Sequence, residues 1–373
     1  MNDTVSLYRS KSIRAVYAHV LKPFFFMNDP ERVHDWMTRA GIVLGATSAG
    51  RWLTSALFDY KNPMLRQEVR GIVFDNPVGL SAGFDKNAQL TGILPSVGFG
   101  FVEVGSITGE PCAGNPKPRL WRMPKSKGLV VYYGLKNDGC EAISKRLLGK
   151  TFSIPVGTSV AMTNCRENMD TDMAIKDFAK AFRIMEPHAS YVTVNISCPN
   201  TMGGQPFVAP DKFDALFRVI DTIPTEKPIF IKISPNMIIA ELDALLDVAR
   251  SHRIHGIICA NLTKPRDNPN IADDDVPGVG GMSGRLVQGL ADDMLARIYR
   301  REGKRFILVG CGGIFTAEDA YRKIRLGATL VQLITGMVFE GPQLIGEINR
   351  ELAELLRKDG FSSVSQAVGI DNC

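Results

Sequence analysis

The sequence predicts an α/β fold, a TIM (β/α)8 barrel with an N-terminal helical extension, and three observations predict it. From about residue 75 onward, short apolar runs alternate with longer segments of helical periodicity. The runs number eight and are almost continuously apolar, as parallel strands buried on both faces require. Polar and glycine residues gather at the end of almost every run. An active site at the C-terminal face of a barrel explains that clustering, whereas an open doubly wound sheet does not.

The extension comes first in the chain. Residues 12–26 and 30–46 read as helices in which Ile13, Val16, Tyr17, Val20, Leu21 and Phe24 to Phe26 are interspersed with Arg14, Lys22, Arg32 and Arg39. Asn28-Asp29-Pro30 supplies a cap and a proline in the first helical turn. Such a pair has two readings, a packing layer over the barrel or helices lying in a membrane interface, and both stay open on the residues alone. The boundary is placed at residue 70, giving an extension of 1–70 and a barrel of 71–373. Barrel strands are expected at 78–84, 101–108, 154–160, 191–197, 228–234, 256–262, 306–310 and 330–335, with helices such as 211–222 and 316–326 between them.

Composition narrows the function. The 373 residues are 45% hydrophobic and 22% charged, an ordinary globular balance, and a net charge of +5 is too small to argue for nucleic acid. Seven scattered Cys without a CxxC pair signal neither a disulfide framework nor a metal site, and they favour a reducing compartment. No apolar run approaches the roughly 18 residues that span a bilayer. The expected location is cytoplasmic, with a peripheral seat on the inner membrane if the extension is an interfacial helix pair.

Strand ends then deliver a convergent set of groups. The first is followed by Ser81-Ala82-Gly83, small residues that let backbone approach a ligand, and by Lys86, which can hold an anion. The second ends at Gly105-Ser106. The fourth ends in YVTVNISCPN, where Asn195 and Asn200 each offer a donor and an acceptor. Cys198 between them can act as nucleophile or proton acceptor once it is a thiolate. Lys232 is an isolated cation amid apolar neighbours, a pattern that calls for an anionic partner. Asn261 closes the sixth strand. Glycine clusters at 310–313 and 335–336 follow the seventh and eighth strands, where barrels bind phosphate, and a third at 278–284 precedes them. A phosphate-bearing cofactor within a barrel, beside a buried lysine, suits flavin mononucleotide, FMN.

The stretches VGLSAGFDKN, GFGFVEVGSIT, GNPKPRLWRMP, VNISCPNT, GGMSGR and GCGGIFTAEDAYRKIRLGATLVQL, in this order, resemble the dihydroorotate dehydrogenase family. The similarity runs from about Lys22 to the C-terminus. The N-terminal helices resemble those of its membrane-associated, quinone-linked class, in which they form a tunnel to the flavin. The resemblance implies that His34 and Arg122 lie on the quinone side and that Lys86, Asn195, Asn200 and Asn261 contact the substrate. It also implies that FMN is held by Ala82, Gly83, Lys86, Gly105, Ser106, Ser159 and Asn195. Lys232, Ser283, Gly284, Gly312, Gly313, Ile334 and Thr335 complete that set.

The chain departs from the class pattern at several positions. Cys198 stands where the quinone-linked class has serine, and the Gly134 to Asn137 run is also like the soluble class. A substrate asparagine of the family falls on Val131, a threonine on Leu262, and an asparagine near the flavin on Ser159. Each polar partner lost in a dry pocket costs about 1–3 kcal/mol. The expected function is an FMN-dependent dehydrogenase in which Cys198 removes a proton and hydride passes to the flavin, with a quinone as acceptor. Two alternatives stand beside it: a divergent paralogue acting on another small carboxylated or amide-bearing substrate, and a flavin-binding scaffold without turnover.

Overall fold

In the computed structural model, which describes residues 3–372, four helices precede a closed barrel of eight parallel strands. The helices are α1 (Asp3–Val16), α2 (Lys22–Met27), α3 (Pro30–Ala46) and α4 (Ser48–Phe58). A π-helical turn, Tyr17–Leu21, joins α1 to α2, with the Lys22 N–H bonding back to the Tyr17 carbonyl. Pro23 follows at once, and its missing N–H is a recognised cause of such a break in the ladder. Asp29 caps α3 by accepting from the Arg32 N–H at 2.8 Å, with Pro30 in the first turn. Thr47 caps α4 through Gly50 at 3.0 Å.

The strands are β1 (Gln67–Val69), β2 (Ile72–Phe74), β3 (Val78–Leu80), β4 (Phe101–Ile107), β5 (Leu120–Met123), β6 (Gly128–Val131), β7 (Val156–Val160), β8 (Tyr191–Asn195), β9 (Ile229–Lys232), β10 (Gly256–Cys259), β11 (Gly281–Met282), β12 (Ile307–Cys311) and β13 (Leu330–Leu333). The barrel runs β3-β4-β7-β8-β9-β10-β12-β13 and closes on β3. All eight expected strands are present, and several end earlier than their apolar runs. Residues 81–84, 196–197 and 260–262 leave the ladder as the chain turns over the barrel mouth.

Alternation along each strand sorts the side chains. Val102, Val104, Val192, Val194, Ile229 and Ile231 belong to the main core, which the outer helices complete with Phe178, Phe182, Phe213 and Phe217. Each such buried side chain contributes about 1.5–3 kcal/mol. Phe101, Tyr191, Phe230, Ile258, Val309 and Leu330 form a separate cluster with Phe74, which meets Phe101 edge-on at 5.4 Å. Phe74 arrives on the β1–β2 hairpin, a two-residue loop in which Arg70 (φ 51°) and Gly71 (φ 74°) are both left-handed.

The sequence reading missed α4 and the β1–β2 hairpin. It also missed a three-stranded antiparallel sheet, β5-β6-β11, in which Val131 of β6 pairs with Leu120 and Gly281. Its strands are two to four residues long and β11 is remote in sequence from the other two, so no periodicity marks it.

Candidate active site

A continuous cavity of about 630 Å³ opens at the barrel mouth and continues between the barrel and the N-terminal helices. Its inner chamber is lined by the strand-end groups. Lys86, Asn195, Cys198, Asn200, Asn261 and Lys232 all face it, as do Ala82, Gly83, Gly105, Ser106, Ser283, Gly284, Gly312, Gly313, Ile334 and Thr335. Its outer part is apolar, with Leu21, Phe25, Met37, Leu44, Leu53 and Leu57 from the helices. His34 and Arg122 also line it. Ser159 is set back: its fully buried hydroxyl lies 2.7 Å from that of Ser106, which stands between it and the cavity.

The asparagines are wired to one another. Asn195 donates to Ser106 Oγ at 2.8 Å and accepts from Ser197, while Asn261 donates to Ser197 Oγ at 2.9 Å and accepts from the Leu262 N–H. Asn200 donates to the Val131 carbonyl at 2.8 Å, and its buried Oδ1 has no hydrogen-bond partner among the described residues. The Tyr133 hydroxyl is likewise buried without a hydrogen-bond partner among the described residues, and the Lys86 ammonium sits over that ring at 4.1 Å from its centroid. Val131 and Leu262 present apolar side chains to the same chamber.

Burial sets the protonation states. Desolvation draws Lys86 down to about 8, with Lys136 adding repulsion. Desolvation pushes the Cys198 thiol up to about 11, against the backbone N–H of Asn200 and the charge of Lys264. Cys198 is therefore a thiol at neutral pH and must lose its proton before it can act as a base. Burial and the nearby Lys86 charge hold His34 down to about 3, so its neutral ring donates Nε2–H to the Phe84 carbonyl at 2.9 Å. Arg122 donates to the Asn28 carbonyl at 2.7 Å and stacks over Phe26, tying β5 to the turn between α2 and α3.

Further side-chain contacts support the site, and not all of their partners were singled out in the sequence. Lys232 donates to Ser81 Oγ at 2.9 Å. Arg119 pairs with Glu31 of α3 and also donates to the carbonyls of Ala113 and Asn115, while Asn115 donates to the Asn200 carbonyl at 3.0 Å. Ser81 was legible as the small residue before Ala82-Gly83. Glu31 carried no signal, because its partner is 88 residues away.

The residues present fit FMN. Gly284, Gly312 and Gly313 hold φ of 76°, 107° and 76°, a backbone that favours glycine, and a Cβ there would strike Lys127 O, Val287 Cγ1 and Gln288 Cβ. A Cβ on Gly83 would meet only Ile334 Cδ1, at 3.8 Å, so it would project into open space. The Ser283 and Thr335 hydroxyls lie 2.8 Å apart beside this floor. Glycine backbone, paired hydroxyls and one buried lysine form a donor set for a phosphate and a flat, electron-rich ring.

The fold and site define a barrel-type flavin oxidoreductase. Residues 64–356 match the family model described as dihydroorotate dehydrogenase. A dihydroorotate dehydrogenase (quinone) of Nocardia farcinica is 36% identical over 363 residues, covering 96% of this chain and 97% of that protein. Its counterpart in Natronomonas pharaonis is 36% identical over 355 residues, covering 94% and 98%. Among solved structures, ligand-free DHODH from Eimeria tenella superposes with a TM-score of 0.82 at 28% identity, covering 92% of this chain and 100% of that one. The same enzyme in complex with ferulenol gives a TM-score of 0.80 at 27% identity, covering 92% and 96%. The chain belongs to the dihydroorotate dehydrogenase family, whose members are FMN-dependent oxidoreductases acting on CH–CH bonds.

Proposed function

We propose that this protein oxidises dihydroorotate and passes the electrons to a quinone. The observation that carries the reading is the continuity of the cavity, from a chamber of Lys86, three asparagines and Cys198 into an apolar channel between the helices and the barrel. Lys86 anchors the substrate carboxylate. Asn195, Asn200 and Asn261 orient the ring, and Cys198 takes the proton from the carbon next to a carbonyl. Bound FMN supplies the acceptor for the hydride that leaves the neighbouring carbon. The floor residues from Ala82 to Ser106 and from Ser283 to Thr335 hold the cofactor, with Ser159 bracing Ser106 from behind. Lys232 offsets the negative charge that develops on the ring.

In this reading residues 1–70 form the acceptor module and 71–373 the catalytic barrel. His34 and Arg122 stand at the acceptor side. The module seats the protein peripherally on the inner membrane with its apolar outer face, where Met27 is 80% and Trp52 71% exposed. No helix among the described residues is long and apolar enough to cross a membrane.

A second reading, a paralogue acting on a related carboxylated or amide-bearing substrate, is favoured by Val131 and Leu262 in the chamber wall and by the Asn200 amide already bonded to the Val131 carbonyl. Anaerobic mixing of the yellow holoprotein with dihydroorotate tests the proposal. Bleaching of the flavin within the turnover time supports it, and bleaching only by other carboxylated substrates selects the paralogue. A flavin left oxidised by every candidate substrate would mark a binding scaffold.

A further inference from the structure

Beneath the chamber, the barrel interior holds a buried acid that the reaction as described does not use. Glu103 points inward from β4, one inward position before the cavity-lining Gly105, and is 0% exposed. Its Oε2 accepts from Thr193 Oγ1 at 2.9 Å, Gln332 Nε2 at 3.2 Å and the Tyr191 hydroxyl at 3.3 Å. Thr193 and Gln332 are likewise the inward positions just before Asn195 and Ile334, which line the chamber. A polar layer therefore separates the apolar plug of Phe101, Tyr191, Phe230 and Leu330 from the cavity floor.

Three donors converging on one oxygen are what an ionised carboxylate needs when water is excluded. Glu103 Oε1 is buried and has no hydrogen-bond partner among the described residues. Burial opposes ionisation of Glu103, and the charge of Lys232 is foremost among the influences that favour it. Lys232 is itself 4% exposed, faces the chamber and donates to Ser81. No direct ion pair joins the two among the described residues, so the coupling acts through space in a dry interior where charges are weakly screened.

We propose that Glu103 is a positioning residue, the buried counter-charge of Lys232, and that it lowers the reduction potential of the bound flavin. The inference rests on the reading that Lys232 lies against the cofactor. Reduction adds negative charge to the ring, and Lys232 favours that charge. A carboxylate one layer below offsets part of the lysine's field, so the flavin gives up its electrons more readily.

The test is the midpoint potential of FMN-loaded protein, measured by dye equilibration at neutral pH. Glu103→Gln keeps the size and an oxygen that accepts from Tyr191 and Thr193 but removes the charge. It should raise the potential by about 30 mV or more, tenfold in the two-electron equilibrium. Lys232→Met should lower it. Thr193→Val, which removes one donor and makes the carboxyl harder to ionise, should shift it upward by less, and it decides the matter if the glutamine variant does not fold. An unchanged or lower potential in Glu103→Gln, or in Thr193→Val where only that protein is obtained, overturns the counter-charge while Lys232→Met still lowers the potential. An unchanged potential in Lys232→Met removes the placement of Lys232 and the inference with it.

Discussion

Glu31 and Arg119, 88 residues apart in the chain, meet in a buried two-pronged pair, with Arg119 Nη2 2.8 Å and Nε 3.0 Å from the carboxylate oxygens. The pair joins α3 of the extension to the loop after β4. Through Asn115 that loop holds the backbone of Asn200, so the docking of the extension and the shape of the substrate chamber are mechanically one.

Breaking this pair should therefore loosen both. Arg119→Ala takes the two-pronged partner from a buried carboxylate and leaves it Lys136 at 3.4 Å and Lys117 at 3.7 Å, so it should cost about 1.5–3 kcal/mol in urea unfolding, with a raised substrate KM. Burial alone would raise the Glu31 pKa, but Arg119, Lys136 and Lys117 hold it down to about 2 from 4.5. A depressed folded-state pKa gives stability that is present above the unfolded value and lost as pH falls through the folded one. The Tm advantage of the parent over Glu31→Gln should thus persist above pH about 4.5 and vanish towards pH 2. An advantage independent of pH across that window would count against the ion pair as its source.

The pH profile of kcat/KM follows from Lys86 and Cys198, drawn down to about 8 and pushed up to about 11 respectively. Activity needs the thiolate and the ammonium together. The rate should climb tenfold per pH unit from neutral to about 8, then stay level as thiolate gained is matched by ammonium lost. Cys198→Ala should abolish flavin reduction by substrate while leaving FMN bound. Cys198→Ser should keep slow activity shifted to higher pH. A flat profile between pH 6 and 8 would assign the base to another group.

Val131 and Leu262 test the substrate. Val131→Asn combined with Leu262→Thr supplies polar groups to a chamber where Asn200 Oδ1 has no hydrogen-bond partner among the described residues. If the chamber is tuned to a less polar substrate, the double variant should process dihydroorotate with a kcat/KM raised about tenfold or more, provided its flavin content is unchanged. Efficient dihydroorotate oxidation by the unmodified protein would dispose of the paralogue reading.

The exposed face of the extension offers a separate test. Met27→Glu with Trp52→Glu should lower binding to anionic lipid vesicles and slow reduction of a long-chain quinone, while reduction of a soluble dye stays as it was. Both side chains point to solvent, so folding is spared. Equal effects on both acceptors would make the face a packing surface instead.

The sequence by itself determined the barrel, because parallel strands covered on both faces must be apolar from end to end, and eight such runs leave little choice of topology. It also determined which groups gather at the mouth. Asn195, Cys198, Asn200 and Lys232 sit at or just beyond strand ends, and barrel closure carries every such position to one face. Tertiary structure alone decided what those groups do on arrival. The Asn200 amide is taken by the Val131 carbonyl because β6 folds back over the barrel to pair with β11. Ser159 falls behind Ser106 because β4 and β7 place their hydroxyls in line. The Cys198 thiol is pushed up because neighbours remote in the chain exclude water from it. Each outcome depends on contacts and dielectric created by closure, and local sequence encodes neither.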